Sequence, residues 1–224
     1  MTNDATATPL GKLPLEWVKA PQQARTHATL GKMLDSAEAL LGDKSWDAVS
    51  VSEIARRAGS SVGAFYRRFH DKDGLLHALH ERFVEEAMAT AETALDPLRW
   101  ADASLREMCE ELFGFVTQVL RERHGLDRAV YERALFDEVF AERSARLTKF
   151  VMIGMAELLL ARRHEITHPE PEVAVDVSLR QAFGLITDMC TVGMNDFGLL
   201  VLDDEKLVRE MTRALTSYLG VREN

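Results

Sequence analysis

Five residues, HEITH from His164 to His168, fit the H-E-x-x-H pattern of zinc hydrolases. In that pattern two histidines one helical turn apart hold Zn²⁺ and the glutamate activates a water. The chemistry needs both histidines on one helix face, and Pro169 argues against that. A residue before proline is pushed out of the α region, so His168 is poorly placed to stand above His164. No H-x-x-G-x-x-H continuation follows. Arg162, Arg163 and His164 read better as the cationic last turn of a helix that the proline ends. His77 and His80, at i and i+3, form a second pair spaced for a metal, but no third ligand accompanies them, and they read as an exposed pair. No G-x-S-x-G, P-loop or Gly-rich dinucleotide fingerprint is present. The expectation is a protein without metal, cofactor or catalytic residues.

What holds such residues in place must be sought in the rest of the 224-residue chain, long enough for one large or two modest domains. Apolar residues make up 46% and charged residues 28%, as in ordinary globular proteins. Cys109 and Cys190 each sit in an apolar run and read as reduced core residues. The first residues lack the apolar stretch of a signal peptide, and no run approaches the ~20 apolar residues of a membrane span. Those features lead us to expect a cytoplasmic protein with no membrane partner.

The formal charge of −9 argues at first sight against nucleic acid. It is unevenly spread: residues 1–82 carry 11 basic and 10 acidic residues, whereas residues 83–224 carry 16 and 26. Within Ser52–Lys72, Arg56, Arg57, Arg67, Arg68 and Lys72 face only Glu53 and Asp71. Phosphate binding responds to potential within a Debye length of about 8–10 Å, so a local basic patch survives an acidic total.

Nearly every segment repeats at a helical period, and strand signals are scarce. The spacing predicts an arm at residues 1–21 and a first helix over 22–41 with Leu30, Met33, Leu34, Ala37, Leu40 and Leu41 on one face. Ser50 and Glu53 form a capping box, and Gly59 ends the short helix they start. Ser60 and Ser61 can cap a second short helix from Val62 to about Arg68. Asp71 can cap a long third one, from Lys72 to about Leu95. Further helices are predicted near 101–123, 126–137, 138–165, 171–196 and 204–219, the last capped by Asp203-Asp204. The domains follow: 22–72 as a helix-turn-helix unit, 73–97 as a linking helix and 98–224 as a larger helical body. The fold class is all-α.

Two short helices about a glycine turn, the second ending in aromatic and basic residues, are a helix-turn-helix signature. Ile54, Ala55 and Ala58 are apolar and small enough for the helices to cross closely. Val62, Phe65 and Phe69 are candidates for the buried face. Ser61, Gly63, Ala64, Tyr66, Arg67 and Arg68 are left facing outward. Gly63 permits close approach to a groove, and Arg67 or Arg68 can pair bidentately with guanine.

The run E-I-A-x-x-A-G, then S-x-G-A-F-Y-x-x-F-x-x-K-x-x-L, closely resembles the TetR-type transcriptional regulators. It is carried by Glu53, Ile54, Ala55, Ala58, Gly59, Ser61, Gly63, Ala64, Phe65, Tyr66, Phe69, Lys72 and Leu75. The likeness covers roughly residues 25–85. Ser60 stands where valine is common, and Ala64 lacks the threonine hydroxyl that typically meets a phosphate. The resemblance implies an Ω-shaped homodimer whose N-terminal domains read the half-sites of a pseudo-palindrome in double-stranded DNA. It also implies a C-terminal body that binds a small-molecule effector and pairs through its last two helices. By position Tyr66 and Lys72 become phosphate contacts, with Arg25 a further one. Val62, Gly63, Arg67 and Arg68 lie on or beside the base-reading surface.

The C-terminal body is rich in Met and Phe, most of them core. An apolar, shape-adapting cavity among Met108, Phe113, Phe136, Met152, Met155 and Phe183 is the expected effector site, with Trp100, Tyr131 and Asp188 offering polar or stacking contacts. Leu179, Phe183, Ile186, Leu207, Met211 and Leu215 offer more apolar surface than two terminal helices can hide in a monomer, and form the expected dimer interface. The reading is a DNA-binding regulator, a repressor released by a small, largely apolar ligand. Two rivals stay open: a zinc hydrolase built on HEITH, and a ligand-binding helical protein whose DNA reading has decayed.

Overall fold

The computed structural model describes the backbone of residues 24–192 and 200–221 and the side chains of residues 29–191 and 200–221. The expected arm and the side chain of Arg25 lie outside the described residues. Within them the chain is helical, with no strand: α1 (Ala24–Leu41), α2 (Val51–Arg57), α3 (Val62–Tyr66), α4 (Lys72–Ala94), α5 (Leu105–Glu122), α6 (His124–Ala134), α7 (Glu138–Ala161), α8 (Pro171–Thr187) and α9 (Asp204–Leu219). It divides into two units, the first ending at Phe83 and the second beginning at Val84. The division falls inside α4. No described helix is long and apolar enough to cross a membrane.

The first unit is organised by the apolar face of α1. Leu30, Met33, Leu34 and Ala37 are buried, together with Ile54 and Ala55 of α2, Phe65 of α3 and Leu75, Leu76 and Leu79 of α4. Arg82 of α4 reaches across to α1, where its Nη1 lies 2.6 Å from Asp35 and its Nη2 2.7 Å from Glu38. His77 and His80 are buried in this core, contrary to the exposed pair expected: they lie on the face of α4 that also carries Leu76 and Leu79.

A feature hidden from periodicity is the 3-10 turn Trp46–Ala48. Three residues are too short to show a repeat. Trp46 is 1% exposed, and its indole Nε1 donates to Asp73 of α4 at 2.7 Å.

In the second unit a single core gathers Trp100, Leu105, Met108, Phe113, Met155, Leu158, Ala174, Leu179, Ile186, Leu207, Met211 and Leu215. Ser104 and Glu107 form a capping box that starts α5. Arg162, just past α7, donates to the carbonyls of Trp100 and Ala103. Helix α8, expected over 171–196, ends at Thr187 and runs into one π turn, Asp188–Val192; the rest of the expected span lies outside the described residues. Between α5 and α6 only Arg123 intervenes, so the helices predicted near 101–123 and 126–137 meet in an abrupt restart with no loop.

The HEITH stretch is not a helix. A 3-10 turn covers Arg163–Glu165 and Ile166 is extended, at φ −92 and ψ 122. The backbone amides of Thr167 and His168 both donate to the carbonyl of Leu219, and the His168 ring lies 5.0 Å from Tyr218. The segment thus serves to tie the end of α9, while His164 projects outward with its side chain 78% exposed. Among the described residues no three His, Cys, Asp or Glu side chains gather to hold a metal.

Candidate nucleic-acid interface

The candidate surface is built on two helix starts and one turn. Ser50 Oγ accepts from the Glu53 amide at 3.2 Å, and Glu53 Oε2 accepts from the Ser50 amide at 3.1 Å. Lys44 adds an ion pair to Glu53 at 2.6 Å. Lys44, then the Ser50 donors, hold the Glu53 carboxyl down at about 2. Helix α2 is thereby fixed at its N-terminus. Its far end turns at Gly59, whose φ of +63 is the left-handed conformation that a side chain disfavours. The Ser60 amide then reaches back to the Ala55 carbonyl at 2.8 Å.

Ser61 starts α3 by accepting from the Ala64 amide at 3.1 Å. Phe65, fully buried, packs its ring 5.1 Å from Phe69 and 5.3 Å from Tyr66. That anchor decides what faces out. Ser61, Val62, Gly63, Tyr66 and Arg67 are exposed and Ala64 half-buried. The Arg67 guanidinium lies beside Gly63, where an added Cβ would stand 3.8 Å from Nη1. Arg56 and Arg57, in the last turn of α2, are exposed as well.

Three expectations need correction here. Val62 is 40% exposed rather than core, because one turn of helix seats only Phe65 inward. Helix α3 stops at Tyr66, so Arg68 turns away from the outward face and is only 8% exposed. Its Nη1 is buried without a hydrogen-bond partner, and burial lowers its pKa. Lys72 is also committed inward: its Nζ donates to the carbonyls of Trp46 and Val49 at 2.7 and 3.0 Å and lies 4.9 Å from the centre of the Trp46 ring. Arg25 belongs to α1, but its side chain is outside the described residues.

An exposed Ser-Val-Gly face with a flanking Tyr-Arg pair, held by capped helices about a left-handed glycine, is the arrangement that enters a major groove. Residues 33–79 match the family model described as bacterial regulatory proteins, tetR family. Over this stretch the chain is similar to that family. Over 65 residues it is 43% identical to an uncharacterized HTH-type transcriptional regulator, YwcC, of Bacillus subtilis, a match spanning 29% of each chain. Over 208 residues it is 27% identical to an uncharacterized HTH-type transcriptional regulator of Haemophilus influenzae, covering 88% of this chain and 87% of that one. Among solved structures, the transcriptional regulator FadR from Bacillus subtilis in complex with stearoyl-CoA shares the fold, at a TM-score of 0.62 and 19% identity, over 84% of this chain and 98% of that one.

The residues expected to line an effector cavity do not all come together. Trp100, Met108, Phe113 and Met155 are core, and Met152 and Phe183 pack against it. Asp188 opens the π turn, half-buried. Tyr131 and Phe136 are instead on the surface, 48% and 90% exposed, because Phe136 lies in the connection just after α6 and Tyr131 on its outer face. The expected dimer residues are also corrected. Leu179, Ile186, Leu207, Met211 and Leu215 are at most 5% exposed in the single chain. Helices α8 and α9 pack on each other and α9 on α5, so these residues are consumed within one protomer. What α8 and α9 leave exposed is Val173, Leu185 and Tyr218, with Phe183 half-buried.

Proposed function

We propose that this chain is a TetR-type, sequence-specific DNA-binding regulator that acts as a homodimer and represses until a small, largely apolar molecule releases it. The observation that carries the reading is the outward face Ser61, Val62, Gly63, Tyr66 and Arg67, set on a capped and glycine-turned pair of helices. Gly63 lets α3 sit close to base edges, Tyr66 reaches a phosphate, and Arg67 has the planar fork that pairs with guanine O6 and N7. Two copies related by a twofold axis meet successive major grooves about 34 Å apart.

A Met- and Phe-rich core in the second unit supports effector binding, as does a structural neighbour that holds stearoyl-CoA. Release follows as a population shift, in which the effector favours a position of α4 that spoils the half-site spacing. The test is selection of genomic fragments on the purified protein, then footprinting with and without metabolites. With about eight phosphate contacts per dimer, log K against log salt should slope near −7. No enriched fragment, or a flat salt response, would remove the reading.

A further inference from the structure

The junction of α5 and α6 encloses an acid that the reading face does not use. Asp127 lies in the first turn of α6, and its amide donates to the Arg123 carbonyl at 3.0 Å. The residue as a whole is half-buried, but its Oδ2 is enclosed and has no hydrogen-bond partner. An enclosed carboxylate oxygen without a donor disfavours the charged form. Burial accordingly raises this carboxyl to about 7, while Arg123 pulls the other way.

Arg123, the residue that separates α5 from α6, also reaches α4: its Nη2 lies 3.2 Å from Glu86 Oε2. One guanidinium thus stands between two carboxyls, an enclosed one on α6 and a half-exposed one on α4. The other charged groups on the surrounding elements have their own commitments. Arg121 of α5 pairs with Asp204 of α9 at 3.0 Å and donates to the Met189 carbonyl at 3.2 Å, which pins the π turn. Cys190 of that turn is a buried thiol that burial pushes up and that feels Arg121, Asp204 and Asp127. Asp188 opens the same turn, half-buried. On α6 itself Arg128 pairs with Glu132 at 3.1 Å, and exposed His124 has its Nδ1 3.0 Å from the Arg121 carbonyl. On α7 the buried charge is Arg143.

While Asp127 holds its proton, Glu86 is the charged partner of Arg123. Once the proton leaves, an enclosed negative charge lies beside the same guanidinium. Water screens that attraction less than the attraction to half-exposed Glu86. We propose that Asp127, Arg123 and Glu86 form a proton-operated switch, in which release of the Asp127 proton to solvent turns the Arg123 guanidinium from α4 onto Oδ2. Helix α4 then loses a tie to the α5–α6 junction. The switch stands apart from the operator reading, and only its consequence for DNA rests on that reading.

Carbon-detected NMR of the full chain follows the Asp127 carboxyl from about pH 5 to about pH 9, assigned by its loss in Asp127→Asn, and nitrogen NMR follows Arg123 Nε. The Nε resonance should move with the same midpoint as the carboxyl and stay still in Asp127→Asn. Glu86→Gln, a change at a half-exposed position, should lower that midpoint by at least about half a pH unit, because nothing then competes for the arginine. Arg123→Gln should raise it. An Asp127 with a merely structural role would titrate without moving Arg123 and without regard to Glu86. A carboxyl that titrates near the ordinary value, an Arg123 resonance indifferent to it, or a midpoint unchanged in Glu86→Gln each overturns the proposal. Retention of a selected duplex at about pH 6 and about pH 8 reads the consequence: from the lower to the higher pH, wild type should weaken at least about fivefold more than Asp127→Asn. Equal weakening of the two would overturn the link to DNA. Failure to select any duplex would count against the operator reading alone, since the NMR titration needs no DNA.

Discussion

The Lys72 ammonium donates to the Trp46 carbonyl at 2.7 Å and lies 4.9 Å from the same residue's ring, so one lysine clamps a three-residue turn to the start of α4. The Trp46 indole returns the contact one position on, donating to Asp73 at 2.7 Å. The turn and the first turn of the long helix are thereby joined twice. A lysine identified from sequence by its position beside phosphate is, in the fold, first a structural brace.

Lys72→Met should therefore destabilise the protein even where no DNA is present. It removes two charged hydrogen bonds, leaving the Trp46 carbonyl only the Val49 amide at 3.2 Å and taking the lysine donor from the Val49 carbonyl, a loss of about 1–3 kcal/mol. Urea denaturation followed by tryptophan fluorescence measures it. A midpoint equal to wild type would show Lys72 to be a surface cation free to serve phosphate alone.

Arg67 and Arg68 make a contrasting pair. Arg67→Ala should lower affinity for a selected duplex, costing about 1–3 kcal/mol where a bidentate guanine contact is lost, and leave the denaturation midpoint within about 0.5 kcal/mol of wild type. Arg68→Met should do the reverse. It replaces a buried guanidinium whose Nη1 lacks a partner with an apolar chain of similar reach, so stability is unchanged or raised by about 1 kcal/mol. DNA affinity should hold. A large loss of DNA affinity in Arg68→Met with an unchanged midpoint would restore Arg68 to the reading surface.

These two arginines also show how far the sequence could be read. The capping box at Ser50 and Glu53, the turn at Gly59, and the starts of α3 and α4 follow from side-chain chemistry local to each site, and all are present. Where α3 stops was not local: it is set by Phe65 and Phe69 seating in the core, which carries Arg68 inward. The Trp46 turn had no period to detect. The apolar residues of α8 and α9 were legible as buried, but a periodic stripe does not say whether its own chain or a second copy covers it. Contact with α5, remote in sequence, decides that.

Asp127 should give the stability a pH signature. Burial pushes its carboxyl up to about 7, against a smaller opposing pull from Arg123, and Oδ2 is buried without a hydrogen-bond partner. The folded chain keeps the proton up to about pH 7, while the unfolded chain releases it near 3.8. Folding takes up a proton between those values, so this group's contribution falls as pH rises from about 4 to about 7 and is level above that. The decline is roughly 2–4 kcal/mol. Asp127→Asn should abolish it, gaining on wild type as pH rises. Parallel stability curves for the two proteins from pH 4 to 8 would show that the carboxyl is ionised throughout.

The last expectation concerns the outer face of α8. Leu179 is 1% exposed and belongs to the core of one protomer, whereas Leu185 is 41% exposed and Val173 51% on the same helix. If two copies pair through the residues that α8 leaves uncovered, Leu185→Lys combined with Val173→Lys should yield a folded monomer by sedimentation, with helical content unchanged. Leu179→Lys should instead unfold the chain, since a lysine there places an unpaired charge in a closed core, at a cost of several kcal/mol. DNA binding by the double lysine variant should weaken at least about a hundredfold, because one reading head must then hold a half-site without its partner. A double variant that still sediments as a dimer would move the twofold contact to another face.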